Sequence, residues 1–149
     1  MIQLLKKYFD LQELVCPHVY NNTRLRAMAW DFFDPRLLET LLFIREKIGL
    51  PIFVNNWYVG GSLSQRGLRC NVCALVAEKT RLEKPYITPH LQGIAIDFDV
   101  DGMTAQTVRD WLEQNKALLP YPIRVESNVS WVHIDLRNHT SQKISYFSE

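Results

Sequence analysis

Gly93-Ile94-Ala95-Ile96-Asp97-Phe98-Asp99-Val100 reads as a β-strand, and Asp101-Gly102 turns the chain at its end. Beyond the turn, Thr104 to Leu118 carries Val108, Trp111 and Leu112 on one helical face, until Leu119-Pro120-Tyr121-Pro122 breaks the pattern. Two more strands follow, Ile123-Arg124-Val125-Glu126 and Trp131-Val132-His133-Ile134-Asp135, joined by a short polar turn at Ser127-Asn128. Upstream, Asp34 can cap a helix, Pro35 suits its first position, and Leu37, Leu38, Leu41, Leu42 and Ile48 recur at helical spacing before Gly49 ends it. Pro51 to Asn55 reads as a strand, Asn56 to Arg69 as a long polar loop, and Cys70 to Thr80 as a second helix. Helices come mostly first and strands later. That order predicts an α+β fold: helices packed on a small, largely antiparallel sheet.

The chain has 149 residues, 47% hydrophobic and 22% charged, without repeats or low-complexity linkers. One domain over residues 1–149 is expected, long enough to bury a core without disulfide staples. A net charge of +1, from 17 Lys+Arg against 16 Asp+Glu, argues against a general nucleic-acid binder. No apolar run is long enough for a bilayer span, and the start shows no signal-peptide pattern. Three cysteines are an odd count for a disulfide framework. A monomer made in a reducing cytosol, with no membrane or nucleic-acid partner, is the expectation. The aromatics Trp30, Phe32 and Phe33 read as core, and the polar tail from Asn138 carries no assigned role.

Two of the four histidines keep unusual company, in Thr88-Pro89-His90-Leu91-Gln92-Gly93 and in Trp131-Val132-His133-Ile134-Asp135. Zinc needs ligands converging from different elements, and imidazole and carboxylate both suit it. His90 falls in the turn before a strand, Asp97 on that strand and His133 on a neighbouring one, whose alternation puts Trp131, His133 and Asp135 on one face. Two histidines and one carboxylate leave a fourth tetrahedral position for water, as in catalytic rather than structural zinc sites. Spacing alone leaves a plainer reading open, since a histidine at a strand end is ordinarily just hydrogen-bonded.

The segment Thr88-Pro-His90-Leu-Gln-Gly93-Ile-Ala95-Ile-Asp97 resembles the S-x-H-x-x-G-x-A-x-D motif of the zinc D-alanyl-D-alanine carboxypeptidases and L-alanyl-D-glutamate endopeptidases, and Trp131-Val-His133 resembles their second motif, W-x-H. This family shares its fold with the hedgehog signalling domain. The opening from Tyr8-Phe9 to Val15 and the helix leading to Pro51–Asn55 look like its compact phage and prophage branch. The resemblance implies His90, Asp97 and His133 as zinc ligands, a close backbone passage at Gly93, and peptidoglycan stem peptides as substrate. It also implies a lysin-like protein acting on the cell wall after release from the cell. Thr88 stands where the family has Ser, and a turn-capping hydroxyl serves it equally well.

Many members of that family carry an acid three positions before the last histidine ligand; here that position is Ser130. Hedgehog-type members place a glutamate slightly earlier, which makes Glu126 the expected general base, with a strand-end glutamate paired to Arg124 as the alternative. Asp135 is expected to orient a ligand or an arginine from behind. Stem peptides carry carboxylates that arginine grips in bidentate fashion. The family's arginine stretch corresponds to Asn55–Arg69, with Arg66 the first choice and Arg69 the second, against two plain surface arginines. Trp57 and Tyr58 either wall the cleft or cap the core. Ser130 keeps a rival open, a hedgehog-like zinc module that binds a peptide without cleaving it. A dipeptidase with a pocket closed at both ends is another.

Cys16-Pro17-His18 and Cys70-Asn71-Val72-Cys73 form a second constellation. Cys-x-x-Cys is a common half of a structural zinc site, and Cys16 with His18 would complete three thiolates and one imidazole. Buried free cysteines and a Cys70–Cys73 redox pair are the alternatives.

Overall fold

Alternation along the strands sorts this protein into an apolar face and a chemical face. The computed structural model describes residues 1–148. Its sheet has five strands, β1 (Ile52–Phe53), β2 (Ala95–Val100), β3 (Ile123–Glu126), β4 (Val132–Asp135) and β5 (Ile144–Phe147), in the order β1-β2-β4-β3-β5. The β1–β2, β2–β4 and β4–β3 pairs are antiparallel, and β3–β5 is parallel, so the sheet is mixed. Ile96 lies opposite Ile134, Phe98 opposite Val132, and Val125 opposite Ile134. With Ile123 and Ile144 these residues are buried in the main core. The intervening residues fall on the other face, where Asp97 lies opposite His133, and both Ala95 and Arg124 lie opposite Asp135.

Helices cover the apolar side. Helix α7 (Ala105–Asn115) packs on β2 and β4 and buries Val108 and Leu112. Thr104 caps it, accepting from Thr107 N–H at 3.1 Å. Helix α5 (Pro35–Ile48) follows its sequence signals closely. The Asp34 carboxylate accepts from Arg36 N–H at 2.9 Å, Pro35 occupies the first turn, and Gly49 ends the helix at φ 74°. Leu37, Leu38, Leu41 and Ile44 of α5 join the core, as does Phe33, with Trp30 and Phe32 half-buried against it. Among the described residues, no helix is long and apolar enough to cross a membrane.

Three stretches differ from the sequence expectation. Pairing in β1 stops after Phe53 because Asn55 turns to other partners: its N–H donates to the Glu13 carbonyl, and its side chain accepts from Arg66 N–H at 3.0 Å. The second helix, α6 (Ala74–Arg81), starts later than Cys70, since Cys70–Cys73 forms a turn with Cys73 as the N-cap. The tail is not idle; it returns as β5, with Glu126 opposite Phe147. Ahead of α5, the short helices α1 (Ile2–Leu5), α2 (Leu11–Leu14), α3 (Pro17–Asn21) and α4 (Thr23–Ala27) lead from the N-terminus, and the first three bury Leu5, Leu14 and Val19.

Gly93 is the hinge between the turn carrying His90 and β2. Its φ is +68°, and a Cβ there would stand 1.8 Å from the Phe32 carbonyl oxygen, a backbone atom with little room to move. The Gly93 carbonyl also accepts from Asp34 N–H at 3.0 Å, joining the turn to the start of α5. Gly93→Ala is therefore expected to destabilise the protein by more than about 1 kcal/mol, read by urea unfolding. An unchanged midpoint would show that the turn can shift freely away from the 32–34 segment.

Candidate functional site

Strand register brings the first two residues together, since Asp97 and His133 are direct cross-strand partners. His90 comes from the turn before β2, where its N–H points at the Thr88 hydroxyl, 3.4 Å away, so Thr88 acts as a turn cap. His90, Asp97 and His133 are all buried, and their ligand atoms lie within 4.8 Å of one another.

The hydrogen bonds behind the two rings decide which nitrogen faces the centre. His90 Nδ1 lies 2.9 Å from the Gly67 carbonyl oxygen, which only accepts. The proton therefore sits on Nδ1, and Nε2 turns its lone pair toward Asp97 Oδ2, 3.4 Å away. His133 Nε2 lies 2.9 Å from Asp135 Oδ2, which leaves Nδ1 facing Asp97 Oδ1 at 2.6 Å. Asp135 is itself fully buried. It accepts from Arg124 Nη2 at 2.8 Å and Nε at 3.1 Å, and from Arg137 N–H at 2.8 Å. Asp135 thus fixes the His133 ring and an arginine together, as outer-shell carboxylates do in metal sites.

Burial opposes charge on Asp97, but the hydrogen bond from His133 and the nearness of His90 outweigh it and hold the carboxyl well below the usual range. Burial likewise opposes charge on His133, yet the bonds to Asp135 and Asp97 push it up to about 9. His90 is pushed down, chiefly by burial. His133 would have to give up the proton it shares with Asp97 before its ring could bind a cation.

The cluster opens into a cleft of ≈ 320 Å³ lined also by Glu126, Trp131, Arg69, Lys79 and Tyr86. Glu126 ends β3 and is buried. Arg124 pairs with Asp135 and lies 4.0 Å over the Phe147 ring, which packs edge-on against His133. Trp131 is held by Arg109 of α7, whose guanidinium donates to the carbonyls of Trp131 and Val129 at 3.1 Å each. Ser130 lies outside the cleft, in a recess beside α7.

Of the two arginines singled out in the sequence, Arg69 rather than Arg66 reaches the cleft. Arg69 Nη2 lies 3.4 Å from Asp97 Oδ2, and its Nε donates to the Gln65 carbonyl. Arg66 pairs with Asp99 and lines a neighbouring recess, which Arg69, Asp97 and Trp131 also border. Trp57 does not wall the cleft; its Nε1–H donates to the Val15 carbonyl at 3.2 Å, and its ring packs edge-on against Tyr20 and Tyr58. Sequence reasoning missed Lys79, Tyr86 and Phe147. Only Phe147 left a signal, as part of the short strand-forming run Ile144-Ser145-Tyr146-Phe147 in a stretch otherwise polar.

The second group gathers as well. Cys16, His18, Cys70 and Cys73 bring their ligand atoms within 4.8 Å of one another, and all three cysteines are free thiols. The Cys16 thiol is pushed down to about 5, first by its hydrogen bond with Cys73, whose own thiol is pushed up in turn.

The chain matches no family model, and no curated protein or solved structure matches it. Among the described residues, two separate groups of side chains could hold a metal ion.

Proposed function

We propose that this protein is a zinc metallopeptidase that hydrolyses peptidoglycan stem peptides at an amide next to a D-amino acid, in the manner of the family whose motifs Thr88–Asp97 and Trp131–His133 resemble. The observation that carries the proposal is the convergence of ring nitrogens on one carboxylate. His90 Nε2 and His133 Nδ1 are both turned onto Asp97 by acceptors behind them, and a buried glutamate lines the same cleft. Two neutral imidazoles and a carboxylate on separate elements fit zinc with one position open, as catalytic sites require. Bound there, zinc would polarise the scissile carbonyl and acidify water.

The chain's own residues supply the rest. Glu126 takes the proton of the attacking water and passes it to the leaving amine. Arg69 and Lys79, both lining the cleft, offer cations to a substrate carboxylate, and Arg69 can do so with a planar fork. Trp131 and Tyr86 offer flat walls for the peptide. Asp135 holds the His133 ring so that Nδ1 stays aimed inward.

The direct test is digestion of purified peptidoglycan with and without chelator, followed by mass spectrometry of the fragments. Zinc-dependent release of peptides cut beside a D-residue is expected. Intact stem peptides after incubation with the zinc-loaded protein would overturn the peptidase reading and favour the non-cleaving peptide binder.

A further inference from the structure

Far along the chain from the cleft ligands, two cysteine-bearing segments meet. Cys16 caps the start of α3 and His18 lies in its first turn, while Cys70 and Cys73 bracket the turn before α6. Backbone bonds already hold these segments together. Val15 and Leu68 form a parallel bridge, Cys16 N–H donates to the Leu68 carbonyl at 3.0 Å, and Leu68 N–H donates to the Leu14 carbonyl at 2.8 Å.

We infer that Cys16, His18, Cys70 and Cys73 form a closed, structural zinc site that clamps the N-terminal segment to the wall of the cleft. The donor set is complete within the chain, three thiolates and an imidazole, with no position left for water or substrate. All four donors lie within 4.8 Å of one another, and the two spacings at Cys73 are near those of a tetrahedron. Zinc–sulfur bonds of about 2.3 Å and zinc–nitrogen bonds of about 2.0 Å put ligand atoms roughly 3.5–3.8 Å apart. Cys70 Sγ lies 3.9 Å from Cys73 Sγ, and Cys73 Sγ lies 3.8 Å from His18 Nδ1. A disulfide needs its sulfurs at about 2.05 Å, so Cys70 and Cys73 are not bonded, and a pair would in any case strand the third thiol. The Cys70 N–H also points at Cys73 Sγ, 3.3 Å away, a donor suited to a thiolate. Soft thiolate sites of this shape select zinc over hard cations.

The position gives the clamp its consequence. Arg69 immediately precedes Cys70, and α6, which starts at Ala74, carries Leu75 and Lys79 into the cleft. One face of the substrate cleft is thus anchored by a metal that takes no part in the chemistry. This inference stands apart from the peptidase proposal, because its readouts report sulfur ligation and not hydrolysis.

The test loads the full chain with zinc or with cobalt(II) and measures metal content, the thiolate–cobalt charge-transfer absorption and thiol alkylation. The wild-type protein is expected to carry close to two zinc per chain, to show the thiolate–cobalt band, and to release its thiols to alkylation only with chelator. His90→Ala with His133→Ala is expected to lose one zinc and keep the band. Cys70→Ser with Cys73→Ser is expected to lose the other zinc and the band. Should the cysteine variant fail to fold, the wild-type spectrum and alkylation still decide. Freely reactive thiols in the zinc-saturated wild type, absence of the band, or an intact mass short of two hydrogens from a Cys70–Cys73 disulfide would each overturn the inference.

Discussion

Glu126→Gln is expected to lower hydrolysis of stem-peptide amides by a factor on the order of 10²–10⁴, the usual contribution of a positioned general base. Glutamine keeps the size and hydrogen-bonding reach of the side chain, so the end of β3 and its pairing with Phe147 should survive. What it loses is the ability to take a proton. The proposed zinc ligands are untouched by this change, so metal content should stay at the wild-type level, which separates loss of chemistry from loss of the site. Arg69→Ala makes a useful contrast. It removes a cation from the same cleft and should act mainly on KM, whereas Arg66→Ala, one recess away beside Asp99, should act less. Undiminished turnover by Glu126→Gln would remove it as the base. Among the acids near the ligands, Asp135 is committed to Arg124, Arg137 and His133.

The parts of the fold that were legible are those where one pattern lasts long enough to be seen. Strands β2, β3 and β4 alternate, α7 shows an apolar face, and α5 has a capping aspartate, a proline and a terminal glycine in the right places. The N-terminal helices were not legible because four or five residues cannot display a period of 3.6. Strand β5 was hidden for a similar reason: it is four residues long, only Ile144 is fully buried, and its partner is parallel and distant in sequence. The site divides in the same way. His90, Asp97 and His133 sit on or beside regular elements, so their convergence follows from strand register. The choice between Arg66 and Arg69 depends on the path of an irregular loop. There, Asp97 N–H donates to the Arg66 carbonyl at 2.7 Å and Arg69 N–H to the His90 carbonyl at 3.2 Å, contacts that no spacing rule predicts.

Asp135→Ala is expected to be among the most destabilising single changes in the chemical face, by about 3–5 kcal/mol, the range for removing one partner of a buried charge pair. Asp135 has no exposed surface and receives bonds from Arg124, Arg137 N–H and His133 at once. Alanine leaves the Arg124 guanidinium without its carboxylate and the His133 Nε2–H without an acceptor. Because Arg124 keeps 26% of its side chain in solvent, it recovers part of that loss, and the effect should fall toward the lower end of the range. Zinc affinity should drop as well, by roughly 10–100-fold, because the ring of His133 is no longer fixed with Nδ1 toward Asp97. Asp135→Asn should do less, since an amide oxygen can still accept from one neighbour. Urea unfolding of the metal-free variant and chelator competition for zinc measure the two effects separately, which matters because bound zinc adds to apparent stability. If stability falls while zinc affinity does not, the orientation of His133 is set by the edge of Phe147, 5.6 Å from it between ring centres, and not by the carboxylate behind it.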